Sequence, residues 1–394
     1  MTRLAPLTPE ARLVHRTADP ALGAVETFAL LTAVRDWPRL VELAAREVAP
    51  LALWRAIKEM PESVPADALL SLQQGAVHLD LRMQQLARRA QQTTRAFAAA
   101  GVPCLLLKGA AVGAIIDPSF RSRPMTDIDV LVRREDVERA KAAVLAAGWN
   151  LTDNPVYLEL LQDAHHLPHF VDPTLPGMRL ELHVMLMPDD QPFAFDEALL
   201  WRDARPAPPP FDGALIPSAN HVLLHACVHF AWQHTLAFGA WRTFRVVSAM
   251  IAQPDFSWDR FVETALEVKA GTTCFWTLRL AQTMAGIPIP ERVLARLAPP
   301  TPNAVCNALE RHFIAQIAPG EGPVSPSIML TRLLWRMALR PDWSGHANPG
   351  RYDPEQKWSK AYGTASTETL PQRVLRHMRG IGEWTRFASK TLFR

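Results

Sequence analysis

The sequence predicts an α+β fold in which a small mixed sheet lies between helical segments. Two apolar runs of strand length, 104–107 and 128–132, alternate with short helical patterns between residues 91 and 205. Helical periodicity dominates before residue 100 and returns from 216 to 317. We therefore expect four parts: a helical segment 1–90, an α/β core 91–205, a helical domain 211–322 and a basic segment 323–394.

Composition indicates an ordinary globular protein. The 394 residues carry a formal net charge of +3, with 48% hydrophobic and 21% charged residues, which excludes a disordered chain. Four widely spaced cysteines form no CxxC pair, so neither a disulfide framework nor a zinc ribbon is expected. Because the N-terminus also lacks the apolar run of a signal peptide, we expect a cytoplasmic protein.

The region around Lys108 resembles a membrane span but is better explained by buried elements. Residues 97–116 carry Lys108 as their single charge, and about 20 apolar residues can cross a bilayer. Four residues that commonly break secondary structure interrupt the run: Gly101, Pro103, Gly109 and Gly113. We therefore predict that a long amphipathic helix, 76–100, ends at Gly101, and that a buried strand and a second helix follow.

The rest of the core alternates strands with a helix. The pattern predicts a strand at 128–132 and a helix that begins at Arg134 and stops at Gly148. It then predicts a hairpin of 165–171 and 179–187 around Pro176-Gly177. Pro206 to Pro210 resembles a linker before the helical domain.

Lys108 and Gly109 stand where the first strand turns into a helix. The free N–H groups of a helix N-terminus favour anions, and a lysine adds a point charge suited to phosphate. Alone this signal is weak, because a glycine after a strand is more often only a turn.

Three acids are the strongest chemical signal. Side chains alternate along a strand, so Asp127 and Asp129 share a face, and so do Glu181 and His183 on a later strand. Carboxylates held close together repel each other unless a cation lies between them, and Mg²⁺ suits one or two carboxylates with phosphate oxygens. If its strand is the antiparallel neighbour, Glu181 serves as a third ligand or as a general base. Solvated acids at strand ends remain the alternative.

Several histidines suggest a metal only weakly. On a strand, the odd spacing of His166 and His169 places them on opposite faces, so we expect substrate contacts or structural hydrogen bonds rather than zinc. His225 and His229 are spaced i, i+4 on a helix without the glutamate of HExxH, so packing is favoured.

The order of these motifs resembles the uncharacterised bacterial nucleotidyltransferases of the DNA polymerase β-like superfold. The matching elements are Leu107-Lys108-Gly109, Arg123, Thr126 to Val132, Gly148-Trp149, Leu180 to His183 and Leu223 to His229. A similar pattern marks the nucleotidyltransferase-like toxins of abortive-infection systems. Two positions depart from the family pattern: Ala110 replaces the usual serine, and Arg242 follows Trp241 in a segment that often carries an acid.

The resemblance implies a role for each matching position. Asp127, Asp129 and Glu181 would be catalytic and hold Mg²⁺, with two ions expected. Lys108, Gly109, Arg123 and Thr126 would bind the nucleotide, and His166 and His183 would contact substrate. The implied reaction moves a nucleoside monophosphate from an NTP to an acceptor hydroxyl on RNA, protein or a small molecule.

Other functions remain open at this point. A phosphotransferase of the same fold would use the same metal chemistry. A nucleotide-binding or protein-interaction module with decayed catalysis is a different class, favoured by the missing serine and opposed by the retained acids. The segment from Pro323 carries 12 Lys+Arg and 5 Asp+Glu and includes an amphipathic pattern from Arg373 to Arg394, so contact with RNA or an anionic membrane is a further expectation.

Overall fold

The computed structural model describes residues 7–152, 165–187, 191–318 and 328–339. The predicted basic surface from Arg373 to Arg394 lies outside these residues. In the described ranges, the α-helices are α1 (Pro9–Arg16), α2 (Ala24–Ala33), α3 (Trp37–Arg46), α4 (Pro50–Ile57), α5 (Ala66–Ala99), α6 (Lys108–Ile116), α7 (Val137–Ala146), α8 (Glu197–Arg202), α9 (Ala219–Val228), α10 (Ala240–Ile251), α11 (Trp258–Glu267), α12 (Gly271–Ala285), α13 (Glu291–Leu297), α14 (Asn303–Ile317) and α15 (Ile328–Leu339).

One mixed sheet forms the centre of the fold, which confirms the predicted α+β class. Its strands lie in the order β3-β4-β5-β2-β1-β7-β6. Their bounds are β1 (Cys104–Leu106), β2 (Asp127–Val132), β3 (Asn150–Leu151), β4 (Phe170–Val171), β5 (Arg179–His183), β6 (Arg205–Pro206) and β7 (Ala214–Ile216).

Strand pairing differs from the sequence expectation at the centre of the sheet. β5 was expected to run antiparallel to β2, but the two strands are parallel, with Asp129 opposite Glu181. The antiparallel partner of β5 is β4, with Phe170 opposite Leu180, so the predicted hairpin is confirmed around Gly177. A hairpin fixes only the pairing of its own two strands. Which strand of the hairpin pairs with β2, and in which direction, depends on contacts distant in sequence.

The long helix α5 precedes the sheet in the chain and packs against β2 and β7. It begins at Ala66, ten residues before the predicted start, because helical spacing of buried residues continues back through Leu72. Gly101, with φ +62°, follows its end as the predicted C′ residue. Trp149 anchors the helix, since its indole N–H donates to Thr93 Oγ1 at 2.9 Å in a buried position.

The helix α6 is built from small residues because other groups approach it closely. A Cβ atom on Gly113 would overlap the ring of Phe120, which is fully buried against this turn. The helices α9 and α10 also pack on α6, so the helical half contacts the helix that directly follows β1. In the described part of the chain, no helix combines the length and apolarity needed to cross a membrane.

The segment between the core and the helical half takes part in the sheet. The expected linker from Pro206 to Pro210 begins at the last residue of β6, which pairs with β7. β7 pairs in turn with β1, so residues 214–216, assigned by sequence to the helical domain, extend the core sheet. The domain boundaries themselves stay a prediction.

Candidate active site

The register of β2 and β5 brings two acids together. Asp129 and Glu181 are directly paired and therefore project from the same face of the sheet. One oxygen of each carboxylate and one ring nitrogen of His183 lie within 4.8 Å of one another. Asp127 lies two residues before Asp129 on the same face, outside that group but in the same cavity. The predicted carboxylates therefore share one face, with Asp127 at its rim.

Lys108 lies against these acids. Its backbone has φ +44° at the point where β1 turns into α6, an uncommon conformation for a residue with a side chain. The ammonium Nζ is 2.7 Å from Asp129 Oδ1 and 3.4 Å from Glu181 Oε2. Burial opposes the charge on Lys108, but Asp129 and Glu181 outweigh burial and raise its pKa. The lysine expected to face phosphate thus also serves as a counter-ion for the acids.

His183 completes the buried end of the cluster. It is fully buried, and its Nε2 is 2.9 Å from Asp129 Oδ1 and 3.4 Å from Glu181 Oε2. Burial and the Lys108 charge act to lower the pKa of His183, yet the hydrogen bonds to both carboxylates raise it above the ordinary value. Its position places it behind the acids, where it orients Asp129.

Asp127 and Glu181 lie in opposite electrostatic environments. Burial and the negative charges of Asp129 and Glu181 raise the pKa of Asp127 from 3.8 to about 6. Burial acts in the same direction on Glu181, but hydrogen bonds from His169 and His183 and the charge of Lys108 hold its pKa far below its ordinary value. Negative charge is therefore compensated at Glu181 and uncompensated at Asp127.

A cavity of about 270 Å³ opens in front of the acids. The core contributes Lys108, Gly109, Arg123, Thr126 and the three carboxylates to its lining. The helical half contributes residues that the sequence analysis did not assign to the site: His229, His234, Gly239, Arg242 and Thr243.

Arg242 is the main functional candidate missed by sequence reasoning. It was noted only as a departure from an acidic position, although an arginine two residues into a helix facing the cavity is a sign of anion binding. Burial and the neighbouring charge of Arg242 lower the pKa of Arg123 to about 9. Within the described residues, neither arginine forms an ion pair with a carboxylate. Two adjacent cations without a partner anion define a positive wall.

Gly109 allows this wall to approach the helix. A Cβ atom at position 109 would overlap the guanidinium of Arg123 and would lie 2.9 Å from Met125 Cβ. Arg123 therefore lies directly over the first turn of α6, where the free backbone N–H groups are found. The geometry gathers Lys108, Gly109 and Arg123 as predicted, whereas Thr126 is exposed and contacts Asp127.

The histidine motif 165–169 departs from its expected geometry. The segment is not a continuous strand: His166 forms one isolated bridge with His183, and the ladder begins only at Phe170. The spacing argument that separated His166 from His169 is therefore wrong, because their rings stack with centroids 5.4 Å apart. His169 Nε2 is 2.8 Å from Glu181 Oε1, and both histidines belong to one group with Glu181.

Acids on β2 and β5 share one cavity with Lys108 and Arg123 at the start of α6, and transferases of phosphorus-containing groups depend on such charge neutralisation. Residues 33–286, more than half of the chain, match the family described as uncharacterised nucleotidyltransferases, and the chain belongs to this family. Neither the comparison with curated proteins nor that with solved structures finds a match.

Proposed function

We propose that this protein transfers a nucleoside monophosphate from an NTP to an acceptor hydroxyl, with Mg²⁺ held by Asp127, Asp129 and Glu181. One observation carries the proposal: an acidic wall of three carboxylates and a positive wall formed by Arg123 and Arg242 line one cavity. A triphosphate complexed with a divalent cation is the ligand whose charges complement both walls.

The chemistry of the acidic wall fits a hard cation. Asp127 and Asp129 supply carboxylate oxygens two residues apart, which is the ligand type Mg²⁺ prefers. Burial raises the pKa of Asp127, and so do the charges of Asp129 and Glu181, whereas Lys108 forms ion pairs with those two acids rather than with Asp127. When bound there, Mg²⁺ would neutralise charge on the phosphates and on the attacking oxygen.

The positive wall fits the triphosphate. Arg123 and Arg242 offer fork-shaped donors that match phosphate oxygens, and the first turn of α6 adds backbone N–H groups. This cradle uses Ala110 where a serine hydroxyl is usual, and Arg242 from the helical half supplies an additional donor. Arg242 thereby offsets the loss that raised the possibility of decayed catalysis.

The reaction follows from this placement. The acceptor oxygen attacks the α-phosphorus as the bond to pyrophosphate breaks, and the proton of the hydroxyl passes to a carboxylate. The lowered pKa of Glu181 suits a metal ligand. Pyrophosphate leaves along Arg123 and Arg242.

Transfer of α-phosphate and γ-phosphate labels, compared between the wild type and two variants, tests this proposal. Purified protein is incubated with Mg²⁺, each of the four NTPs and separate RNA, protein and small-molecule fractions of a lysate. Transfer of an α-phosphate label by the wild type but not by Asp129→Asn supports nucleotidyl transfer, and Asp212→Asn, at an exposed acid, is the control that keeps activity.

The alternative functions give different results. Transfer of a γ-phosphate label without the α-label indicates a phosphotransferase. Tight, Mg²⁺-dependent NTP binding with no label transferred to any fraction indicates a binding module. If Mg²⁺ leaves NTP affinity unchanged, the assignment of the acidic wall is wrong.

A further inference from the structure

A second group of possible metal ligands lies beside the acidic wall. It consists of His166, His169 and Glu181, which each offer one ligand atom within 4.8 Å of the other two. Ligands around a tetrahedral Zn²⁺ ion at about 2.0–2.1 Å are about 3.3 Å apart, so closing this group requires shifts on the order of 1 Å. The side chains are therefore close to a metal-binding arrangement.

The protonation state of His166 suits a ligand. Its Nδ1 is 2.7 Å from the carbonyl oxygen of Leu167, so Nδ1–H donates and Nε2 keeps the lone pair. Such a backbone partner fixes the tautomer of metal-binding histidines in general.

The two carboxylate oxygens of Glu181 contact different neighbouring residues. Oε1 is 2.8 Å from His169 Nε2, whereas Oε2 lies 3.4 Å from both Lys108 Nζ and His183 Nε2. A carboxylate in this position can bind one cation through each oxygen. The histidine side and the Asp129 side of Glu181 are thus separate but adjacent positions.

Of the two sides, the histidine side is the one available to a transition metal. On the other side, the Lys108 ammonium lies 2.7 Å from Asp129 Oδ1 and His183 Nε2 is engaged by the same oxygen. The imidazole nitrogen on that side is therefore already engaged, and only carboxylate oxygens remain for a cation. Two imidazoles with one carboxylate also favour Zn²⁺ over Mg²⁺, which prefers oxygen ligands.

We propose that His166, His169 and Glu181 bind a Zn²⁺-class divalent transition metal, with Glu181 shared between this ion and the hard-cation position at Asp127 and Asp129. The proposal goes beyond the proposed function, because metal binding here does not require the transfer reaction. It places a second cation beside the cavity, on two histidines and Glu181, where the sequence resemblance implied carboxylates alone.

Direct metal binding by the full chain tests the proposal. Chelator-treated protein is dialysed against Zn²⁺ in the presence of excess Mg²⁺, and bound zinc is counted by mass spectrometry. We expect about one zinc ion per chain and at least about 100-fold weaker binding in His166→Gln and His169→Gln. His78→Gln, at an exposed histidine of α5, is the control that binds as the wild type does. Circular dichroism checks that each variant is folded.

The same experiment separates this proposal from the proposed function. Asp127→Ala, which removes a proposed Mg²⁺ ligand, is expected to retain zinc while losing NTP transfer. Zinc binding by a wild type that transfers no nucleotide supports the histidine site and overturns only the function. Unchanged zinc affinity in both folded histidine variants, or no zinc on the wild type, overturns the histidine site: His169 then only forms an ion pair with Glu181.

Discussion

Replacing Asp127 by asparagine is expected to stabilise the protein while removing its activity. The carboxylate lies near Asp129 and Glu181, and Lys108 pairs with those two acids instead. At pH 8 the ionised Asp127 therefore opposes folding, and the uncharged amide of the variant removes this repulsion. The same change removes a proposed Mg²⁺ ligand.

The magnitude and sign follow from the raised pKa. Folding shifts the pKa of Asp127 from 3.8 to about 6, and each unit corresponds to about 1.4 kcal/mol. Between these values the folded protein holds a proton that the unfolded chain has lost, so the stability contributed by Asp127 falls as pH rises through this window. Allowing for partial solvent screening, we expect a gain of about 1–2 kcal/mol for Asp127→Asn above pH 7.

Thermal denaturation at two pH values checks this reasoning. We expect the variant to melt about 1–3 °C above the wild type at pH 8 in the absence of divalent cations, and the two proteins to converge near pH 4. Mg²⁺ should stabilise only the wild type. Asp212→Asn controls for loss of a charge at an exposed position. An equal melting temperature at pH 8, or a gain that persists unchanged at pH 4, would refute the electrostatic argument.

Three further predictions concern other residues. Gly109→Ala should weaken NTP binding by about tenfold in calorimetry and also lower the melting temperature, because the added methyl overlaps the Arg123 guanidinium and lies 2.9 Å from Met125 Cβ. Arg242→Gln should weaken NTP binding by about 10–100-fold, with a smaller effect on the nucleoside alone, because a charge-assisted bond to phosphate is lost. Glu310→Gln should lower the melting temperature by about 4–8 °C, because Arg279, 2.8 Å away, keeps a largely buried charge without its partner.

Each of these predictions has a clear contrary result. Equal NTP affinity in Gly109→Ala would show that Arg123 does not hold phosphate over α6. Equal losses for nucleoside and triphosphate in Arg242→Gln would place Arg242 at the base or sugar. An exposed arginine, Arg202, provides the charge-matched control for that variant. Unchanged melting of Glu310→Gln would show that solvent already screens Arg279.

Local sequence patterns were sufficient to predict the acidic face. Period-two alternation places Asp127 and Asp129 on one face of β2, and the burial of Ile128 and Val130 on the other face confirms it. The same reasoning predicts Glu181 and His183 on one face of β5, and Leu180 and Leu182 are fully buried opposite them. These features depend only on neighbours within a strand, so a single sequence contains them.

Long-range contacts explain what sequence reasoning could not supply. The parallel pairing of β2 with β5 is decided by packing between segments about 50 residues apart, and no local pattern records it. Arg242 reaches the cavity only because α10 packs on α6. His166 and His169 come together because their segment leaves strand geometry, whereas the spacing argument assumed a regular strand.

Each wall of the cavity carries an unbalanced charge: the acidic wall is negative and the wall with Arg123 and Arg242 is positive. The acidic wall carries three carboxylates against the single lysine Lys108, and burial together with the charges of Asp129 and Glu181 raises the pKa of Asp127. The positive wall carries Arg123 and Arg242, and burial together with the charge of Arg242 lowers the pKa of Arg123. A lone metal ion would correct only the first imbalance, and a lone triphosphate only the second. A metal–nucleotide complex corrects both at once, so each component is expected to increase the affinity for the other.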